Sequence, residues 1–127
     1  MKILGLDYGS KRIGVAISDE TQTLARELTI LSPAEFWQQI KDLVEQQGIE
    51  RVILGLPLNM SGQHTDKTRE VQDFFDQLQQ HITVPVEFMD ERLSSAMAEH
   101  LPGGKQNVDS LAAQIILQNY LDKIKTK

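Results

Sequence analysis

Three acidic side chains occupy positions in this sequence where a purely structural role is hard to find. Asp7 lies inside the apolar run 3–8, where an unpaired carboxylate is costly to bury. Glu91 follows the apolar segment 84–89, and Asp109 opens an otherwise apolar helical pattern. Carboxylate oxygens are hard ligands and the chain has no cysteine, so these acids favour Mg²⁺ or Mn²⁺ over a soft metal.

One or two such ions would suit the hydrolysis of a phosphodiester bond. Two divalent ions about 4 Å apart activate the attacking water and stabilise the leaving oxygen. Without them, the three carboxylates would repel one another, and at least one would be driven toward protonation. Lys11, Arg12 and Arg92 are candidates to contact backbone phosphates, and such contacts weaken as salt rises. We therefore predict that the three acids are both the metal ligands and the catalytic residues.

Each acid also has an ordinary structural explanation. Asp109 can complement the dipole at a helix N-terminus. Glu91 can pair with Arg92 at a strand end, and Arg92 can orient a carboxylate instead of binding phosphate. Asp7 is harder to explain in this way, because aspartate is depleted in strands and the pattern makes this strand central.

The spacing of apolar residues predicts the elements that must position these acids. The predicted strands cover residues 3–8, 12–18, 25–31, 51–56 and 84–89. Predicted helices follow the N-cap Ser32, cover residues 65–80 and 93–101, and begin again near Asn107. The order βββαβαβαα indicates an α/β domain with a mixed sheet, three antiparallel strands followed by two parallel ones, and helices on both faces. In such sheets, functional residues gather at the carboxyl ends of the strands.

Length and composition are those of one globular domain spanning residues 1–127. The net charge of −5 argues against a generic nucleic-acid binder, although bound divalent ions would offset a carboxylate cluster locally. No segment is apolar enough to cross a bilayer, and Asp7 interrupts the only candidate for a signal peptide. We therefore expect a cytoplasmic protein with no membrane partner.

Residues 7–16, Asp-Tyr-Gly-Ser-Lys-Arg-Ile-Gly-Val-Ala, resemble the opening signature of the YqgF/RuvX family in the RNase H-like nuclease superfamily. Residues 55–57, 90–95 and 108–110 match further segments of that family in the right order. The resemblance implies an RNase H-like five-stranded sheet, with the catalytic acids at the three positions already named and Asp90 as a helper.

The same resemblance implies a metal-dependent nuclease that matures the 5′ end of pre-16S ribosomal RNA. An older proposal for the family is resolution of Holliday junctions. The nucleic-acid partner is accordingly an rRNA precursor or branched DNA, while association with ribosomal particles and the oligomeric state stay open. Two departures from the family pattern are the short loop 102–107, whose only basic residue is Lys105, and Ser61 before Gly62.

Two other classes of function fit part of the pattern. Asp-x-Gly followed by a basic strand also resembles the phosphate-binding hairpin of actin-like ATPases, but those proteins close two lobes around ATP. A non-catalytic module that binds RNA or protein would suit the negative net charge but would not need three costly acids. The three histidines have no metal-ligand spacing. Trp37 and the pair Phe74-Phe75 lie on predicted helices, so we expect them in the core rather than as base-stacking platforms. Tyr8, next to Asp7, has two interpretations: a stacking role at the site, or packing in the core on the side of its strand opposite Asp7, which we expect.

Overall fold

The computed structural model describes residues 1–56, 66–90 and 108–125. Within these ranges the chain forms β1 (Lys2–Tyr8), β2 (Ile13–Ser18), β3 (Ala25–Leu31), α1 (Pro33–Gln47), β4 (Ile49–Leu56), α2 (Asp66–His81), β5 (Val86–Asp90) and α3 (Val108–Lys125). The predicted element order is confirmed over these residues, and the predicted helix over 93–101 lies outside them.

The five strands form one mixed sheet in the order β3-β2-β1-β4-β5. β2 is antiparallel to both of its neighbours, whereas β1, β4 and β5 are parallel to one another. The predicted fold class and the central position of the first strand are therefore confirmed. The last residues of the three parallel strands, Tyr8, Leu56 and Asp90, lie at one edge of the sheet, which we call the carboxyl edge.

Alternation along β1 divides the molecule into two apolar layers. Leu4 and Leu6 pack in a core with buried residues of α1 and α2 on one face of the sheet. Ile3 packs on the other face against α3, whose residues Leu117 and Leu121 are fully buried there. Burial of both faces explains why the central strands are almost continuously apolar.

Helix α1 is delimited by local interactions that are visible in the sequence. The side chain of Ser32 accepts a hydrogen bond from the Glu35 backbone N–H at 3.2 Å, and the Glu35 carboxylate accepts one from the Ser32 N–H at 2.9 Å. Hydrogen bonding of the Glu35 carboxylate to the Ser32 backbone N–H, and secondly to the Ser32 hydroxyl, lowers the pKa of Glu35. Gly48 ends the helix with φ +65°, and its carbonyl accepts a bond from the Lys2 N–H at 3.1 Å. β4 therefore begins at Ile49, two residues before the predicted start.

β5 begins at Val86, two residues later than predicted. Pro85 has no N–H to contribute to the ladder, although its carbonyl accepts a bond from the Val52 N–H at 3.0 Å.

Among the helices that the structure describes, none is long and apolar enough to cross a membrane.

A polar cluster ties α3 to the amino-terminal half of the parallel strands. The buried Tyr120 hydroxyl accepts a hydrogen bond from the Arg51 guanidinium and donates one to the Glu87 carboxylate at 2.9 Å. Burial is the main cause that raises the pKa of Tyr120, and its hydrogen bond raises the pKa of Arg51. This cluster fixes the carboxyl-terminal half of α3 near the start of β1, because Arg51 pairs with Ile3 across the sheet.

Candidate active site at the carboxyl edge

Asp7 is the penultimate residue of the central strand and pairs with Gly14 of β2. Its side chain is half-buried, so the carboxylate lies at the margin of the sheet rather than deep within it. By alternation it shares the α3 face with Ile3 and Gly5, while Tyr8 packs against the core of the opposite face. The cost of burying a carboxylate is therefore smaller than its position within an apolar run suggests.

The turn between β1 and β2 places two of the predicted phosphate contacts at the same edge. Tyr8 pairs with Ile13, and the four residues between them include the exposed Lys11 and Arg12. A Cβ at Gly9 would lie 2.6 Å from the carbonyl oxygen of Arg12, so the turn is tight enough to require glycine there. Two exposed cations therefore follow Asp7 within five residues of chain.

Gly5 is not among the functional residues predicted from the sequence. A Cβ built on Gly5 would lie 2.7 Å from the Leu117 Cβ and 3.2 Å from the Ala113 carbonyl oxygen. The backbone of α3 therefore lies directly against the backbone of β1, which a larger residue would prevent. A glycine inside an apolar strand, together with the small pair Ala112-Ala113, is the sequence signal for such a contact.

Helix α3 runs antiparallel to β1. Its residue Tyr120 lies near the start of β1 through Arg51, and Ala113 and Leu117 lie against Gly5 in the middle of the strand. The first turn of α3, which begins at Val108, therefore lies toward the carboxyl edge. The backbone of Asp109 belongs to this turn, and its side chain lies outside what the structure describes.

The remaining predicted residues fall at or beyond the end of β5. The strand ends at Asp90, whose backbone pairs with Leu56 at the carboxyl edge. Glu91 and Arg92 lie outside the described residues, as does the side chain of Asp90. Of the three predicted metal ligands, only Asp7 thus has a described side chain, and the described residues contain no cluster of three acidic or histidine side chains suited to a metal.

Comparison with protein families gives a match to the family model described as "RuvX: Holliday junction resolvase" over residues 1–123. A relative from Chloroflexus aggregans is 44% identical, and the match covers 94% of this chain and 92% of the relative. A second, from Caldanaerobacter subterraneus, is 39% identical over 98% of this chain and 99% of the relative. Both carry the name of a proposed pre-16S rRNA nuclease.

Solved structures with the same fold include Thermus thermophilus RuvC in complex with a Holliday junction substrate. It is 14% identical to this chain, covers 98% of this chain and 96% of its own, and has a TM-score of 0.62. Fowlpox virus resolvase, solved with Holliday junction DNA, is 13% identical over 98% of this chain and 99% of its own, with a TM-score of 0.55. These likenesses establish the fold. The family match over residues 1–123 and the relatives near 40% identity show that the chain belongs to the RuvX (YqgF) family.

Proposed function

We propose that this protein is a metal-dependent endonuclease that processes the 5′ end of a 16S rRNA precursor, with Asp7, Glu91 and Asp109 as its metal ligands and catalytic residues. Family membership and the fold support a hydrolase that acts on phosphodiester bonds. The names of the relatives support the rRNA precursor as the substrate. The active site in this proposal lies at the carboxyl edge, on the face of the sheet covered by α3.

The observation that carries the proposal is the backbone contact at Gly5. From Gly5 to Asp7 the strand advances two residues, or about 6.8 Å, toward the carboxyl edge. From Ala113 back to Asp109 the helix covers four residues, or about 6 Å, in the same direction. Because Ala113 lies against Gly5, these matched lengths support a position for the first turn of α3 beside Asp7.

Strand register supports a similar position for Glu91. Leu6 pairs with Leu54, and Gly55 pairs with Met89, so Asp7 and Met89 lie at about the same height two strands apart. Neighbouring strands are about 4.8 Å apart, which puts these two backbones roughly 10 Å from each other. Met89 packs toward the α3 face, and Glu91 is two residues further along the chain.

The residues at this edge suit a hard divalent cation. The half-buried Asp7 carboxylate offers oxygen ligands next to solvent, and Asp109 and Glu91 would add carboxylates of the same chemistry. When bound, Mg²⁺ or Mn²⁺ supplies Lewis-acid stabilisation of the charge that develops in phosphodiester hydrolysis. The three acids would hold the cation in place. Lys11 and Arg12, and in the same role Arg92, would bind phosphates and hold the substrate strand across the edge.

Substitution of the acids tests this proposal. Asp7→Asn and Asp109→Asn should each abolish Mg²⁺-dependent cleavage of a pre-16S rRNA fragment and weaken Mn²⁺ binding measured by calorimetry. Asp122→Asn is the matched control, because Asp122 is an exposed carboxylate near the opposite end of the same helix. Unchanged cleavage and metal affinity in Asp7→Asn would overturn the role of Asp7, whereas a wild-type protein that shows no Mg²⁺-dependent cleavage would favour a non-catalytic binding module.

A second candidate function is the resolution of Holliday junctions, which the description of the matching family favours. The same three acids would serve either substrate, because they act on the phosphodiester and not on the base. The two functions are separated by comparing cleavage of the rRNA precursor with cleavage of a four-way DNA junction under identical Mg²⁺ and salt. A preference for the junction would assign the protein to the second function.

A further inference from the structure

We infer that the groove between α1 and α2 binds a single unstacked base of the substrate strand and prefers guanine over uracil. This inference rests on the proposed nuclease function, since it assigns the groove to the same substrate strand. The groove is open to solvent and has a volume of about 200 Å³. Tyr8, Trp37 and Phe74 form its aromatic wall, and Glu70, Asp73 and Gln77 supply its polar groups.

The groove begins at the carboxyl edge, next to the proposed active site. Tyr8 follows Asp7 directly in β1, and their side chains lie on opposite faces of the sheet. Helix α1 also starts at this edge, because Leu31 at the end of β3 pairs with Ile13, the partner of Tyr8. A strand that crosses the edge with one phosphate at Asp7 would therefore reach the groove with a neighbouring nucleotide.

The aromatic wall suits an unstacked base. The ring centroids of Tyr8 and Phe74 are 4.6 Å apart, and those of Trp37 and Phe74 are 5.2 Å apart, so the three rings form one continuous apolar surface. Phe74 is buried, whereas Tyr8 and Trp37 are half-buried and present part of their surface to the groove. Aromatic surfaces of this kind hold splayed bases of single-stranded RNA.

The charges around the groove indicate which part of a nucleotide enters. Glu70 and Asp73 are exposed carboxylates one helical turn apart on α2, and they would repel a phosphate. One cation, Lys67 in the first turn of α2, lies beside this wall, with its Nζ 5.3 Å from the centre of the Tyr8 ring. This arrangement favours the sugar-phosphate chain near Lys67 and the base between the helices.

The same carboxylates set the base preference. A carboxylate accepts hydrogen bonds only, so it binds bases that present N–H donors on an accessible edge. Guanine offers two adjacent donors, N1–H and the exocyclic amino group, to one carboxylate. Uracil offers one N–H between two carbonyl oxygens, which the carboxylates would repel. A base matched to its hydrogen-bonding partner is preferred by about tenfold or more over a mismatched one.

Trp37 is the only tryptophan in the chain, so tryptophan fluorescence reports directly on this groove. We propose titrating the Asp7→Asn variant, without divalent metal, with the pentanucleotides UUGUU and UUUUU and following tryptophan fluorescence. Both probes carry the same phosphate charge, so electrostatic binding to the backbone cancels in the comparison. The expected result is quenching by both RNAs, with an affinity for UUGUU about tenfold higher.

Three substitutions on α2 test whether the groove causes the higher affinity for UUGUU. Asp73→Ala and Glu70→Ala should bring the affinity for UUGUU down toward that for UUUUU, whereas Asp76→Ala should not. Asp76 is an exposed carboxylate on α2 that does not line the groove. Alanine is the strongest helix former, so all three variants should fold. Equal affinities for the two RNAs, or the same change of affinity in the Asp73 and Asp76 variants, would overturn the inference.

The outcomes also separate this inference from the proposed function. Selective quenching of Trp37 in a protein that cleaves no RNA would refute the nuclease and retain the groove as an RNA-binding site. Metal-dependent cleavage without selective quenching would retain the nuclease and refute base binding in the groove. Selective quenching by a lysine-rich peptide, with no response to either RNA, would reassign the acidic groove to a protein partner.

Discussion

Replacing Gly5 with alanine tests whether the contact between β1 and α3 positions the active site. The new Cβ would lie 2.7 Å from the Leu117 Cβ, whereas carbon atoms pack at about 3.5–4.0 Å. The obstacle is the root of a helical side chain, with the Ala113 carbonyl oxygen beside it at 3.2 Å, so a rotamer change cannot relieve it. Helix α3 must therefore retreat from β1 by about 1 Å.

The displacement at Asp109 depends on how α3 moves. If the helix translates, its first turn moves by the same distance of about 1 Å. If it tilts about Tyr120, which is held by Arg51 and Glu87, Leu117 lies about 4.5 Å and Asp109 about 16 Å from the pivot. A shift of about 1 Å at Leu117 then becomes about 3–4 Å at Asp109. Either movement exceeds the tolerance of roughly 0.5 Å for a catalytic arrangement.

We therefore expect Gly5→Ala to lower kcat for RNA cleavage by about 100-fold or more and to weaken Mn²⁺ binding. Overpacking of this kind should also lower the free energy of unfolding by about 1–3 kcal/mol. Single-turnover cleavage of a labelled pre-16S fragment, together with Mn²⁺ calorimetry, measures both site effects below the unfolding transition.

Gly48→Ala is the matched control. Gly48 has φ +65°, and a Cβ at this position would meet no atom within 4 Å, so alanine there strains the backbone by about 1–2 kcal/mol without displacing α3. It should lose a similar amount of stability and keep normal cleavage and metal affinity. A folded Gly5→Ala protein with normal cleavage and Mn²⁺ binding would refute the role of α3 in the site. Equal losses of activity in both variants would show that stability alone is responsible.

Three further predictions concern stability. Asp19 accepts hydrogen bonds from the Thr21 hydroxyl at 2.5 Å and from two backbone N–H groups, which lower its pKa to about 2. In urea unfolding, the stability advantage of wild type over Asp19→Asn should therefore be full above about pH 4 and be lost as the pH falls to about 2. A stability difference that does not change with pH would contradict this cause. Tyr120→Phe removes both hydroxyl bonds, so it should cost about 1–3 kcal/mol in urea unfolding. It should leave Mn²⁺ binding intact, because the proposed metal site lies about 16 Å away along α3. Ser32→Ala should cost about 1 kcal/mol through loss of the N-cap, and a change below the error of the same unfolding assay would show that the capping box contributes nothing.

Most of the fold could be predicted because local signals and the apolar pattern agree along the chain. Ser32-Pro33 and Gly48 delimit α1, and the apolar runs predict all five strands. The largest errors, of two residues each, fall at the starts of β4 and β5. Ile49 joins β4 because Lys2 pairs with it, and Val86 starts β5 because Pro85 cannot donate. The first effect depends on a distant strand, whereas the second comes from a proline inside the predicted strand itself.

The site was harder to predict than the fold, because it depends on which strand and which helix meet. The sequence indicates that Asp7 is unusual, but it does not show that Asp7 stands at the strand's exposed end or that α3 covers its face. That information comes from Gly5, whose missing side chain permits the approach of Ala113 and Leu117. A residue can therefore position a site without having a reactive side chain of its own. In this protein a glycine determines how near the helix bearing Asp109 comes to the strand bearing Asp7, and the proposed metal site depends on that distance.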